Sequence, residues 1–461
     1  MAASKRIGRR GLLAATAAVV AGAVLAPVGA VAAPAAGPAD TRAVAAEGTD
    51  ARRAAVVRAL DRVAQPLRTT DPGGRTADLR ALGAMIGDAQ VVGLGEATHG
   101  SHEFFAMKER VFRYLVEEKG FTTFALETSW TSGLLVDEYV QGGPGDARRI
   151  VREALGGSPW EREEFAELIS WMREYNRSHP QRPVHFLGDD IGAPRLGDAA
   201  FERVASYLRQ ARPDALPALD GLYAGLRPLD DTIAYIGRPV AERRENAVKA
   251  QQALDLVTVS GTPGDDAYEW AVQHARNIAQ TFAFATFDLA DPASVSASEQ
   301  LRDRAMADNV GWWQRRTGGK VLLSAHNGHA GYLATDTFLY PKPQGSHLRD
   351  TYGRDYVAIG FTFDRGSFLT ADEVLTGGWK AVTVPPATPD MNEHTLDRVR
   401  YRDYYVDLRT VPRAARDWLD VSRPTYDAGS VFLNDPMPRL AVGRAYDVLI
   451  HLDEVHAARK L

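Results

Sequence analysis

Residues Val91–Phe105 read VVGLGEATHGSHEFF. Val91, Val92 and Leu94 have the β-branched, apolar character of a buried strand. Glu96, His99, His102 and Glu103 then arrive within a few residues, separated by the permissive glycines Gly95 and Gly100. Buried charge costs several kcal/mol unless it is paired. A strand that opens into carboxylates and imidazoles is therefore either entering a solvated loop or building a site.

The flanking pattern places this stretch in a fold. Helical periodicity over 51–64 and 76–87 precedes it, and a helix over 103–118 follows, stopped by Gly120. Phe121–Leu126 reads as a second strand. Helical patterns recur at 131–140, 146–155 and 161–177, and Pro183–Leu187 is a third strand. This alternation predicts an α/β domain over 51–461, a mainly parallel open sheet flanked by helices. Residues 198–317 read as almost wholly helical, a helical insertion or cap subdomain. Lys320–Ser324 (KVLLS) restores the strand pattern, and strands near 355–363, 404–409 and 446–451 complete the sheet.

Several strands end in polar residues: Glu96, then Glu127, then Asp189-Asp190, then His326. Ligands of open α/β sheets bind outside the carboxyl ends of the strands. These sequence-distant groups are expected to converge on one sheet edge.

Composition narrows the chemistry. The 461 residues carry a net charge of −5 and no cysteine. Disulfides, Cys–zinc sites and thiol catalysis are excluded, and no basic footprint points to nucleic acid. Residues 1–33 combine Lys5, Arg6, Arg9 and Arg10 with an Ala/Val/Leu run and an Ala30-Val31-Ala32 cleavage pattern. They read as a signal peptide of twin-arginine type. The rival is an uncleaved anchor, since the run is nearly long enough to span a bilayer. Cleavage implies a secreted or extracytoplasmic protein with no stable membrane association. Residues 34–50, rich in Ala, Pro and Gly, read as a flexible linker.

On the helix 103–118, Phe104, Phe105, Val111, Phe112, Leu115 and Val116 form one apolar stripe, with Glu109, Arg110, Arg113 and Glu117 outside it. Lys108 falls in the middle of the stripe. Either Glu96 or Glu127 neutralises it, or its stem snorkels to water. Two histidines, His326 and His329, follow KVLLS three residues apart. No G-x-S-x-G elbow, Walker A loop or dinucleotide fingerprint is present. Glu, His and Lys without a covalent nucleophile suit general-base activation of water, with a second imidazole or an ammonium at the oxyanion. They equally suit a metal held by His and Glu. Asp190 ends a strand on the suspected edge, and Trp130 is either pocket-lining or core. His179, His185 and His274 read as structural or solvated.

GEATHG with EFF following, then Lys108, then GFTTFALE, resembles the erythromycin esterase family. So do FLGDD at 186–190, RDRAMADNV at 302–310, AHNGH at 325–329 and GRDYVAIGFTF at 353–363. The likeness runs in the family's order from about Ile86 to DVLIHLDE near the C-terminus. It implies metal-independent hydrolysis of a small-molecule ester, with macrolide lactones and antibiotic resistance within the family's range. By the same resemblance His99 is the general base, Glu96 orients it, Glu127 is a second carboxylate, and His326 and His329 assist catalysis or hold the carbonyl. Lys108 stands where some members carry arginine, so the charge is kept and the bidentate fork is lost. Arg302 and Asp303 serve as ion-pair support or substrate contacts. No cofactor is implied. A metal-dependent hydrolase or peptidase built on the same cluster is the competing enzyme reading, and an exported binding protein is the non-catalytic one.

The signal reading has a direct check: replacing both Arg9 and Arg10 with Lys should leave uncleaved precursor inside the cell, scored by immunoblot of cell and medium fractions. Normal secretion of that variant counts against a twin-arginine route.

Overall fold

The computed structural model describes residues 39–192, 196–227, 229, 232–371 and 378–461. The expected signal peptide and residues 34–38 of the expected linker lie outside them. Residues 39–50, also expected to be linker, are instead the first part of a helix, Ala39–Asp61. Ala-rich sequence has high helix propensity, and that outweighs the absence of an apolar period. Among the described residues no helix is long and apolar enough to cross a membrane.

The strands in chain order are β1 (Gln65–Pro66), β2 (Val91–Leu94), β3 (Phe121–Ser129), β4 (His185–Asp190), β5 (Lys320–Ser324) and β6 (Tyr356–Ala371). They continue as β7 (Trp379–Val384), β8 (Tyr404–Asp407), β9 (Arg423–Pro424), β10 (Arg439–Leu440) and β11 (Val448–Val455). One sheet has the order β1-β8-β11-β6-β2-β5-β3-β4, with β7 pairing onto β6. The six strands from β11 to β4 run parallel; β8, β1 and β7 are antiparallel additions.

The sheet is buried on both faces, which is why its inner strands read as continuous apolar runs. Val92 and Leu94 point into a core shared with Phe104, Phe112, Phe124 and Phe361. Val91 points the other way, with Ala125, Leu187, Val321, Trp130 and Trp313. The helix His102–Lys119 packs on the first face and ends at Gly120, whose φ of 78° is a left-handed cap. Glu109 and Arg110, expected outside its apolar stripe, are buried as well. The segment before β2 covers that side: Arg110 donates to Asp78 Oδ1 at 2.6 Å and to the Arg75 carbonyl. Burial pushes the Glu109 carboxyl up to about 6 despite its pair with Arg113.

The described residues between Asp198 and Thr317 form helices, among them Asp198–Ala211, Val240–Thr258, Asp266–Phe284 and Pro292–Thr317. The first three share an apolar core of their own that includes Phe201, Leu208, Ile278 and Phe282. The last returns to the sheet beside β4 and β5. β7 and the β9–β10 ribbon have no counterpart in the sequence reading. β7 is half-exposed, and the ribbon strands are two residues long. Neither needs an apolar run to form.

The loop after β2 is pinned at Gly100, whose carbonyl accepts from Leu369 N at 3.0 Å and Ala458 N at 2.8 Å. A Cβ there would stand 2.0 Å from the Leu369 carbonyl oxygen, an unyielding backbone atom. Gly100→Ala should therefore destabilise the fold by about 1–3 kcal/mol, read as a lower urea midpoint. An unchanged midpoint would mean that the loop has room to retreat.

Candidate active site

Glu96 lies two residues beyond Leu94, the last residue of β2, and is fully buried. Gly95 makes room for it: a Cβ there would meet the Asn327 side chain at 2.2 Å. Asn327 in turn donates its amide to the Glu96 carbonyl at 2.9 Å and clips to β6 through Phe361, donating to its carbonyl at 2.8 Å and accepting its amide at 3.0 Å. The ends of β2, β5 and β6 are thus locked together around one carboxylate.

Both oxygens of that carboxylate are used. Oε1 bonds His99 Nδ1 at 2.5 Å, and Oε2 accepts from the Lys108 ammonium. Lys108 is buried and also donates to the Ala325 carbonyl at 3.2 Å; it does not snorkel. Burial alone would raise the Glu96 pKa, but the Lys108 ammonium and His99 together hold it below the ordinary carboxylate value. Burial likewise lowers Lys108, more than Glu96 restores. An ionised Glu96 requires the proton of neutral His99 to sit on Nδ1. The Nε2 lone pair is then free, and among the described residues it has no hydrogen-bond partner.

His326 faces His99 edge-on, with ring centroids 5.1 Å apart, and Trp160 packs on His99 at 5.4 Å. His326 Nδ1 accepts from the Gly328 amide at 3.2 Å, so the neutral ring carries its proton on Nε2. That atom lies 3.1 Å from Asp427 Oδ1, an ion contact not aligned as a hydrogen bond. Burial would lower His326, but Asp427 and Glu127 outweigh it and raise it. Asp427 reaches the site because its neighbour Ala428 straps the loop after β2: Ala428 N donates to Ala97 O at 2.7 Å, and His99 N donates to Ala428 O at 3.2 Å.

Glu127, in the last turn of β3, organises the other side. Oε2 accepts from the His326 amide at 2.8 Å, and Oε1 accepts from Arg302 at 3.0 Å and lies 3.4 Å from His329 Nε2. Burial would raise its pKa, yet His329, His99 and Arg302 hold it far below the usual range. Arg302 also clasps Asp190 through Nε at 3.1 Å and Nη2 at 2.6 Å. Asp303 accepts from His329 Nδ1 at 2.6 Å. Burial opposes the charge of His329, but Asp303 and Glu127 prevail and lift it to about 9, so it is an imidazolium at neutral pH. Arg302 and Asp303 come from the helix Pro292–Thr317, which makes the helical region part of the cleft.

Glu96, His99, Lys108, Glu127, Asp190, Arg302, Asp303, His326 and His329 therefore meet in one place. Trp130 does not. It is buried in the core on the far face of the sheet, donating to His274 Nδ1 at 3.2 Å. Three residues past Glu127 the chain has begun a helix, which turns that ring away from the strand ends. His102 and Glu103, beside His99 in sequence, bind Glu164 and His456 at 2.7 Å instead. Sequence reasoning missed Asp427, Trp160 and Glu299. Glu299 is buried on the same helix as Arg302, 3.7 Å from its Nη1, and burial raises it to about 7. Its spacing from Arg302 (i, i+3) was a usable signal. Asp427 and Trp160 sit in loops that give none.

A search of known families matches residues 116–455 to the erythromycin esterase model. The chain belongs to the erythromycin esterase family. The match starts beyond Lys108, so Glu96 and His99 join the family region through the geometry above. An Escherichia coli erythromycin esterase type II is 27% identical over 324 residues, 64% of this chain and 74% of that protein. The Bacillus subtilis (strain 168) protein YbfO is 32% identical over 435 residues, 86% of this chain and 90% of its own length. A solved structure described as a succinoglycan biosynthesis protein superposes with a TM-score of 0.78 at 29% identity, covering 89% of this chain and 99% of that one. The protein is a hydrolase of the erythromycin esterase type.

The Lys108–Glu96 pair yields a pH signature. Lys108→Met keeps the stem and removes the charge, so burial dominates Glu96 and its pKa rises. Glu96 then takes up its proton at higher pH and ceases to orient His99. The acidic limb of the kcat/KM profile should move upward in pH for Lys108→Met, and Lys108→Arg should largely restore it. An unmoved limb in the Met variant would disconnect Lys108 from the base.

Proposed function

We propose that the protein is exported and hydrolyses a small-molecule carboxylic ester by attack of water activated on His99. A macrolide lactone is one substrate of the proposed class. The observation that carries this reading is the His99 ring itself: Nδ1 is spent on Glu96, while Nε2 has no hydrogen-bond partner among the described residues and the ring packs edge-on against a second imidazole.

In this scheme water gives a proton to His99 Nε2 as its oxygen adds to the ester carbonyl carbon. Glu96 stabilises the imidazolium that forms, and Lys108 keeps Glu96 ionised. Two of the three Lys108 N–H donors go to Glu96 and the Ala325 carbonyl, so the ammonium is assigned to Glu96 rather than to the oxyanion. His326 Nε2–H, held loosely by Asp427, is assigned that role. Collapse of the tetrahedral intermediate breaks the ester C–O bond, and the proton on His99 passes to the departing alkoxide. Acid and alcohol leave, and the base is regenerated. Glu127, with both oxygens engaged, serves as a positioning carboxylate rather than a nucleophile. No resident metal is assigned to this chemistry: Glu96 is engaged with His99 and Lys108, and Glu127, Asp190 and His329 are engaged with Arg302 and with each other.

The test is hydrolysis of aryl esters and macrolides by purified protein, with products identified by mass. General-base catalysis contributes about 100- to 10,000-fold. His99→Ala should lose at least the lower figure in kcat while KM and the melting temperature change little. Comparable losses in kcat only after chelation, with His99→Ala nearly unaffected, would favour the metal-dependent alternative. Substrate binding without turnover would favour a binding protein.

A further inference from the structure

A second cluster of ionisable groups lies on the sheet away from the cleft. Along β6, Phe361 and Phe363 face Phe104 on the helix His102–Lys119. By alternation Thr362 and Asp364 face the other side. Their neighbours on β11 are His451, in register with Thr362, and Asp453 two residues on. Asp397, just past the helix Asn392–Leu396, completes the group. One carboxylate oxygen each from Asp364, Asp397 and Asp453 lies within 4.8 Å of the others.

Three acids alone are not a site, but His451 points to a ligand. It is fully buried, and among the described residues its Nε2 has no hydrogen-bond partner. That atom stands 3.8 Å from Asp397 Oδ1, beyond hydrogen-bond reach. The opposite nitrogen, Nδ1, is fixed by Thr362 Oγ1 at 3.0 Å. A proton on Nδ1 donated to Thr362 leaves the Nε2 lone pair turned toward the carboxylates. Metal-binding histidines are held this way, by an outer partner on the other nitrogen.

Two arginines neutralise part of the group, chiefly Asp453. Arg365 reaches Asp453 at 2.6 Å and Arg402 reaches it at 2.5 Å, both from the exposed side. Arg365 is 3.6 Å from Asp364 without a hydrogen bond. Among the described residues Asp364 accepts only the Ala387 amide, at 3.2 Å. Asp403 adds a further acid, accepting the Asp453 amide at 3.0 Å.

We propose that Asp364, Asp397 and Asp453, with the His451 imidazole 3.8 Å from Asp397 as a fourth donor, bind a first-row divalent cation, Mn²⁺ or Zn²⁺. The imidazole donor favours these over the hard ions Ca²⁺ and Mg²⁺. The site is structural. It ties β6 and β11 to the segment that carries Glu393. Glu393 accepts from Thr425 Oγ1 and from Tyr426 N at 3.2 Å, the two residues preceding Asp427. A cation here braces the loop that presents Asp427 to His326.

Chelator-stripped mature protein should be titrated with Mn²⁺ and Zn²⁺ by calorimetry and thermal melting, with Ca²⁺ and Mg²⁺ as contrasts. A single ion should bind, and the melting temperature should rise by several degrees. Asp397 is partly exposed, so Asp397→Asn should fold. It should weaken Mn²⁺ binding by about tenfold or more and, without metal, melt no lower than the parent because like-charge repulsion is relieved. Bound Mn²⁺ should show nitrogen coupling in pulsed electron paramagnetic resonance that His451→Gln removes. The proposal falls if neither ion shifts the melt, if Ca²⁺ and Mg²⁺ stabilise equally, or if Asp397→Asn binds as the parent does. It also falls if His326→Asn abolishes binding while Asp397→Asn does not, since the ion would then occupy the cleft.

Discussion

The buried pair between Lys108 and Glu96 is the interaction on which the rest of the cleft depends. A carboxylate at the end of a parallel strand, sealed from water, would ordinarily take up a proton. The ammonium keeps it ionised, and only the ionised form fixes the His99 tautomer. The arrangement costs desolvation on both partners. It is tolerated because every oxygen of Glu96, and the Lys108 ammonium, has a partner. A lysine supplies a point charge where a guanidinium would supply a planar fork. Here the ammonium spans one carboxylate oxygen and one carbonyl, a geometry that does not call for a fork.

A second layer of pairing lies across the cleft. Arg302 and His329 are both cationic, and Glu127, Asp190 and Asp303 surround them. This half of the site is anchored on the helix Pro292–Thr317, so the helical region does more than shade the sheet edge. Any shift of that helix moves the groups that hold the His326 backbone through Glu127. The family match, which begins at residue 116, takes in this half, while Glu96, His99 and Lys108 come from the segment before it.

Much of this was legible in the residues. The parallel strands announced themselves because strands buried on both faces need unbroken apolar runs, and the polar groups at their ends mark the site through topology alone. Lys108 was legible as an anomaly in an amphipathic stripe. The stripe misled at Glu109 and Arg110, because it assumes one buried face and the segment at 68–80 covers a second. Trp130 misled because proximity in sequence to Glu127 ignores the turn from strand to helix. Asp427 left no local trace: it sits in an irregular loop and gains meaning only from the strap between Ala428 and the loop after β2. β7 escaped because an edge strand that is half-solvated carries no apolar signature.

The strap has a consequence for how activity arises during synthesis. The loop after β2 is translated early, but its backbone partner at 428 and the strand β11 at 448–455 emerge more than 300 residues later. A ribosome-bound chain can hold Glu96, His99 and Lys108 and still lack the strap at 428 and the segment at 456–458 that pins Gly100 and His102. The loop therefore gains its full set of backbone contacts only once the chain has been made as far as residue 458.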